Sequence, residues 1–291
     1  MLLNVNFAGI SLDGKRFFYE NMLRRAKNLP YELVWGQERT EYIISYCCPP
    51  NLARTIAETS EYAYAVDHDG VWAGLYGANK AKFTLQNGAS FTLVQQTDYP
   101  YDGKLLFTVS ESNGKPFVLH LRIPHWATNA EITVNGSTQQ LSAGDAESYI
   151  AIHIDDPEDF VLSLDLHIAP RVTIGHSLIE ETRNQGAIEY GPLVYCVETP
   201  DATVASLEDL LLPLQPEMRT MDYQIEGRHV TAIEAKLLQV QTDDEDRDKL
   251  YRTMQEPCTE EIPVRLIPYF AWDNRGTGEM MIWLPLAWRK A

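Results

Sequence analysis

Two cysteines stand side by side in this sequence, Cys47 and Cys48, directly ahead of Pro49-Pro50. Adjacent cysteines seldom bridge to each other, because the bond strains the intervening peptide. Two thiolates at one point suit a soft metal; the plainer alternative is a pair of small hydrophobes at a turn. Cys196, in Leu-Val-Tyr-Cys-Val, reads as a core strand residue, and Cys258 lies in a polar stretch. Four cysteines in 291 residues are not a disulfide scaffold. The seven histidines, at 68, 120, 125, 153, 167, 176 and 229, are scattered, with none at metal-ligand spacing from another. No Gly-rich phosphate loop, H-E-x-x-H or G-x-S-x-G motif occurs. The run Asp243-Asp244-Glu245-Asp246-Arg247-Asp248 lacks the Gly and terminal Glu of an EF-hand and reads as a solvated loop. Tyr99, Tyr101 and Trp126 sit in aromatic-rich loop segments. Rings there stack on sugars or cap a sandwich core, and both readings stay open. Tyr19 is a further substrate-binding candidate.

The elements that must position these residues are mostly strands. Leu3–Ile10 and Arg16–Tyr19 flank an Asp13-Gly14 turn and predict a short hairpin. Pro49-Pro50-Asn51 opens a segment with apolar residues at 52, 53, 56 and 57, which predicts a helix over 52–62. From Ala63 onward, short apolar or alternating runs recur every 8–12 residues. Turns fall at Asp69-Gly70, Asn87-Gly88, Asp102-Gly103, Asn113-Gly114 and Asn135-Gly136. That texture means sandwich or barrel, not βαβ units. A second β segment runs from Val172-Thr173-Ile174 to Met280–Leu284, with a short helix or loop at 201–218 between its strands. The fold expected is mainly β: two consecutive antiparallel β-sandwich domains of jelly-roll type at 63–170 and 171–291, preceded by the hairpin and helix of residues 1–62.

Composition narrows the function. Lys and Arg total 24 against 41 Asp and Glu, so the net charge is 24 − 41 = −17. Such a chain repels nucleic acid and anionic membrane surfaces. No apolar run reaches the roughly 18–20 residues of a membrane span. The first residues carry neither a basic n-region nor an apolar h-region, so a cytoplasmic location is expected, with the periplasm the alternative if a leader has been removed.

Six stretches, in order, resemble glycoside hydrolase family 127, the β-L-arabinofuranosidase-like proteins. They are Leu12–Asn21, Cys47-Cys48-Pro49-Pro50-Asn51-Leu52-Ala53-Arg54, Gln96–Gly103, Leu121–Ala127, Glu189–Cys196 and Ile267–Gly276. The resemblance implies an (α/α)6 catalytic barrel followed by two β-sandwiches, and retaining hydrolysis of arabinofuranosides at a zinc held by a glutamate and three cysteines. Matched by motif, Cys47 would be nucleophile and ligand, and Cys48 a ligand. Zinc keeps a thiol ionised at neutral pH, and a carboxylic acid must protonate the leaving oxygen. The family's Glu-x-Cys ligand pair and acid lie upstream of the segments matched here, and nothing maps the acid onto Glu38 or Glu41. The expectation is therefore a C-terminal portion of such a hydrolase, inactive as an isolated chain. The alternatives are a carbohydrate-binding or assembly protein, or half of a split enzyme whose apolar barrel-facing surface is covered by a partner chain or a second copy.

Overall fold

The structure is a computed structural model that describes residues 4, 7–26, 36–43, 47–241, 249–251, 253 and 257–287. The acidic run at 243–248 and parts of the 3–10 and 31–46 segments lie outside them. The chain is mainly β, with one α-helix among the described residues. It divides into two compact units, residues 1–52 with 170–291, and residues 53–169.

The N-terminal stretch contains β1 (Arg24–Arg25) and ends in α1 (Cys48–Glu58), which a 3-10 turn extends over Thr59–Tyr62. The helix thus begins four residues before the apolar pattern does, because Pro49 and Pro50 fit a first turn whose N–H groups have no intrahelical partner. The expected hairpin is reduced to a tight turn. Ser11 N donates to Arg16 O at 2.8 Å, Ile10 and Phe17 form one antiparallel bridge, and Phe17 then pairs with Thr40. Ser11 and Asp13 side chains take the backbone N–H groups of Lys15 and Arg16, so the loop is held by its own side chains rather than by a ladder.

Residues 53–169 hold β2 (Tyr64–Val66), β3 (Gly70–Ala73), β4 (Asn79–Thr84), β5 (Ser90–Gln96), β6 (Lys104–Ser110), β7 (Phe117–Ile123), β8 (Glu131–Val134), β9 (Ser137–Gln140), β10 (Ser148–Ile154) and β11 (Val161–Asp165). They form a four-stranded sheet in the order β10-β7-β3-β2 and a six-stranded sheet in the order β4-β5-β6-β11-β8-β9. Strict alternation along β7 sends Phe117, Leu119, Leu121 and Ile123 into one core with Phe91, Leu93, Phe107 and Leu164 of the other sheet. Phe91 and Phe117 stack at 3.7 Å inside it. Asn135-Gly136 closes the β8–β9 hairpin with both residues at positive φ, the type I′ geometry that this dipeptide favours. The edge strand β4 carries exposed Lys80 and Lys82, which deter further pairing. One pairing departs from the antiparallel expectation: β3 runs parallel to β7.

The other unit continues with β12 (Pro170–Ile174), β13 (Gln185–Tyr190), β14 (Leu193–Glu198), β15 (Leu210–Pro213), β16 (Met218–Ile225), β17 (Arg228–Gln241), β18 (Cys258–Pro268), β19 (Met280–Met281) and β20 (Leu284–Ala287). With β1 they make a ten-stranded sheet whose main path is β1-β19-β14-β18-β17-β15-β20-β13-β12. Strand β14 changes partner along its length, from β13 to β18 to β19, and is buried almost throughout. The 201–218 stretch, expected as helix or loop, contains β15, which pairs parallel to β20. The hairpin β16–β17 was not foreseen. Its Glu226-Gly227 turn has both residues at positive φ but is not one of the stronger turn dipeptides.

Charged side chains buried within this unit fix the path of the N-terminal stretch. Asp273, itself at positive φ, accepts from Arg25 Nη1 at 2.5 Å and from the Arg39 backbone N–H at 3.0 Å. Arg39 donates to the carbonyls of Trp272 and Ala8, and its guanidinium lies over Phe18, which stacks on Trp272 at 4.7 Å. Burial pulls the Arg39 pKa down to about 10, against the pull of Asp273 and Glu198, so it stays charged at neutral pH. Glu198 Oε1 accepts from Asp273 N at 2.8 Å and Glu198 Oε2 pairs with Arg275, which also grips Asp201 in a bidentate pair. Burial acts to lower the Arg275 pKa, and the two carboxylates more than offset it.

Two stability tests follow from these contacts. Asp273→Ala leaves Arg25 and the Arg39 N–H buried without their acceptor, and urea denaturation is expected to register a loss of about 3–5 kcal/mol. Phe107→Ala empties part of the 53–169 core and is expected to lower stability by about 3–5 kcal/mol by the same measurement. A change below about 1 kcal/mol in either variant contradicts the corresponding packing.

Candidate functional site

The thiol pair sits where α1 begins. Cys47 O accepts from Asn51 N at 3.2 Å, which places Cys47 just outside the first helical turn with Cys48 as the first helical residue. A helix N-terminus favours negative charge on nearby groups. The two sulfurs are 3.4 Å apart, with Cys47 exposed and Cys48 half-buried. Partial burial, then the neighbouring Cys47 thiol, push the Cys48 pKa up. Two sulfurs this close resist carrying two charges at once, so the electrostatics favour a single thiolate in the pair. No disulfide joins any of the four cysteines, and Cys196 is fully buried with its pKa raised by that burial.

Other sequence candidates within the same unit fall close by in the chain. Tyr19 is half-buried, and its neighbour Phe18 turns inward onto Trp272. Glu38 and Glu41 are exposed near the buried Arg39.

Tyr99, Tyr101 and Trp126 all lie in the 53–169 unit. Tyr99 meets Tyr76 edge-on at 5.8 Å, and burial pushes its pKa up to about 12, with nearby Arg122 acting against the rise. Burial also raises the Tyr101 pKa. Trp126 is half-buried against the core. Tyr99 and Trp126 therefore share in closing the core, and Tyr99 is committed to it most fully.

Sequence reasoning missed two groupings. One is the buried set of Arg25, Arg39, Glu198, Asp201, Asp273 and Arg275. The run Trp272-Asp273-Asn274-Arg275 hinted at it, since two charged residues amid buried aromatics need partners. The other is a contact between Trp72 and His120, whose rings stack at 3.7 Å. The period-2 pattern Gly70-Val71-Trp72-Ala73-Gly74 was the available signal.

Zinc takes four ligands, at least three of them from the protein. Among the described residues no set of three or more Cys, His, Asp or Glu side chains comes together. Cys47 and Cys48 are two thiol donors, and by themselves they do not fit a complete zinc site. No helix among the described residues is long and apolar enough to cross a membrane.

Comparison with known proteins matches three consecutive stretches of this chain to one family. Residues 1–61 match the β-L-arabinofuranosidase GH127 catalytic domain, 70–167 the GH127 middle domain and 170–285 the glycoside hydrolase family 127 C-terminal domain. The non-reducing end β-L-arabinofuranosidase of Bifidobacterium longum subsp. longum is 30% identical over a match covering 97% of this chain and 44% of that protein. A solved glycoside hydrolase superposes with a TM-score of 0.91 at 38% identity, covering 98% of this chain and 47% of its own. The GH127 β-L-arabinofuranosidase Ara127N-Se of Geobacillus stearothermophilus T6 gives 0.83 at 32% identity, over 97% of this chain and 44% of that one. The chain thus spans a little under half the length of these relatives. With three consecutive domain matches and structural likeness along nearly its whole length, it belongs to glycoside hydrolase family 127.

Proposed function

We propose that this chain carries the nucleophile-bearing segment and the β domains of a β-L-arabinofuranosidase-type retaining hydrolase. The observation that carries the reading is the thiol pair at the start of α1, with Cys47 exposed and its sulfur 3.4 Å from that of Cys48. In this reading Cys47 Sγ attacks the anomeric carbon while the glycosidic oxygen leaves with a proton from a carboxylic acid. Water then displaces the sulfur and delivers the sugar with its configuration retained. Partial burial and the neighbouring thiol raise the Cys48 pKa, so the attack is assigned to the exposed Cys47. Substrate, by analogy with the relatives, is an arabinofuranoside.

Residues 1–62 are read as catalytic-domain sequence, and 63–170 and 171–291 as two successive β-sandwich domains. The paired sheets and shared core of residues 53–169 support this for the first of them. Because two thiols are only half of a tetrahedral donor set, the described residues need further ligands and an acid before turnover.

Three measurements test the reading. An aryl β-L-arabinofuranoside with added zinc is expected to give no turnover by this chain alone; hydrolysis abolished by Cys47→Ala would show the chain to be self-sufficient. Metal analysis of the purified protein is expected to give well under one zinc per chain, and a stoichiometric value contradicts the two-donor reading. Iodoacetamide mapping by mass spectrometry is expected to label Cys47 in the folded chain and Cys196 only after denaturation. An inert Cys47 removes it as nucleophile.

A further inference from the structure

The 53–169 unit carries a second constellation on the outer face of its four-stranded sheet. Val71 and Ala73 of β3 enter the core, so the strand period turns Gly70, Trp72 and Gly74 outward. The same parity on β7 and β10 brings out His120 and Tyr149. Trp72 pairs in register with His120, and their rings stack at 3.7 Å, 5° from parallel. Tyr149 meets the indole edge-on at 5.1 Å and is 41% exposed.

The two glycines make this packing possible. A Cβ at Gly70 would come within 3.1 Å of His120 Nε2, and one at Gly74 within 3.4 Å of the Tyr149 hydroxyl. The imidazole edge and the phenol hydroxyl therefore sit close over bare backbone, one on each side of Trp72 along the strand. The indole is fixed as well. Its Nε1–H donates to Asp67 Oδ2 at 2.7 Å, while Asp67 Oδ1 accepts from Gly70 N at 2.7 Å. The indole hydrogen bond, followed by the Gly70 N–H, holds the Asp67 carboxyl below the usual range. Partial burial keeps His120 below its ordinary pKa, so the stack is neutral at pH 7.

We propose that Trp72, His120 and Tyr149 form a preorganised platform that binds a neutral oligosaccharide through residues other than the thiol pair. Apart from Val118 and Ala151, the outward positions of these three strands carry rings, glycine or polar groups. A sugar has one apolar C–H face and a hydroxyl edge. The rings suit the first, and the Tyr149 hydroxyl, the exposed His153 and the Asp67 carboxylate suit the second. The net charge of −17 disfavours an anionic polysaccharide. The choice of an arabinose polymer as ligand rests on the hydrolase reading above; the platform does not.

The test is titration of the full chain with arabinotriose, followed by calorimetry and by the indole N–H resonance of Trp72. The expected result is saturable binding with a Kd on the order of 1 mM, weakened at least about tenfold by Tyr149→Ala and by Trp72→Ala. Tyr149 is exposed, so its variant keeps the fold even if the Trp72 variant does not. Cys47→Ala is expected to bind as well as the parent, which separates a failure of the hydrolase reading from a failure of this one. No saturable shift at Trp72, or unchanged affinity in Tyr149→Ala, overturns the proposal. So does a dimer in light scattering that Tyr149→Ala converts to monomer, since the face would then join two copies.

Discussion

The carboxylate of Asp273 is the point on which the first compact unit turns. It is 5% exposed, sits on a residue held at positive φ, and faces Arg25 and the backbone of Arg39. A charge in that position is tolerable only if every partner is in place, because an unpaired buried ion costs several kcal/mol. Around it the demand propagates. Arg39 needs the carbonyls of Ala8 and Trp272, Asp273 N needs Glu198, and Glu198 needs Arg275. The result is a chain of obligations from residue 8 to residue 275 that hydrophobic burial, being non-directional, would not impose. It also fixes where Arg25 and Arg39 enter the fold.

Guanidinium groups in this network carry a residual debt that aromatic rings reduce. Arg39, Arg275 and Arg265, whose Nη1 donates to Asp201 Oδ1 at 3.2 Å, each leave Nε without a hydrogen-bond partner. Arg39 lies 4.3 Å from the centroid of Phe18, Arg265 lies 4.3 Å from that of Tyr223, and Arg275 lies 5.8 Å from the same Tyr223 ring. A ring face attracts a cation without needing a donor aligned to it, so it compensates a nitrogen that no acceptor reaches. This explains why Phe18 and Tyr223 sit among these charges rather than apart from them.

Much of the 53–169 unit was legible in the sequence because its signals are local. Alternation over Ser90–Gln96, Lys104–Ser110 and Phe117–Ile123 coincides with the observed strands, and the Asn-Gly and Asp-Gly dipeptides fall at or beside strand ends. What failed was non-local or weakly coded. The parallel pairing of β3 with β7 depends on which strands meet, which no period reveals. Strands β15 to β17 lack clean alternation and turn through Glu226-Gly227. The site was half legible. Family motifs picked out Cys47 and Cys48, but the stack of Trp72 on His120 joins residues 48 apart, and neither announces the other.

The same logic separates what the thiol pair does for itself from what it must borrow. Position at a helix start and the closeness of two sulfurs are local facts, set by Cys47-Cys48-Pro49-Pro50. They suffice to hold the Cys48 thiol above its ordinary pKa, by partial burial and by the neighbouring Cys47 sulfur. Leaving-group protonation and a full metal donor set are non-local, since they require side chains from other elements to converge on those sulfurs. A folded scaffold supplies convergence only where directional contacts enforce it, as they do around Asp273. Among the described residues no group of three or more metal-ligating side chains gathers, so the metal chemistry of the pair depends on donors beyond its own two sulfurs.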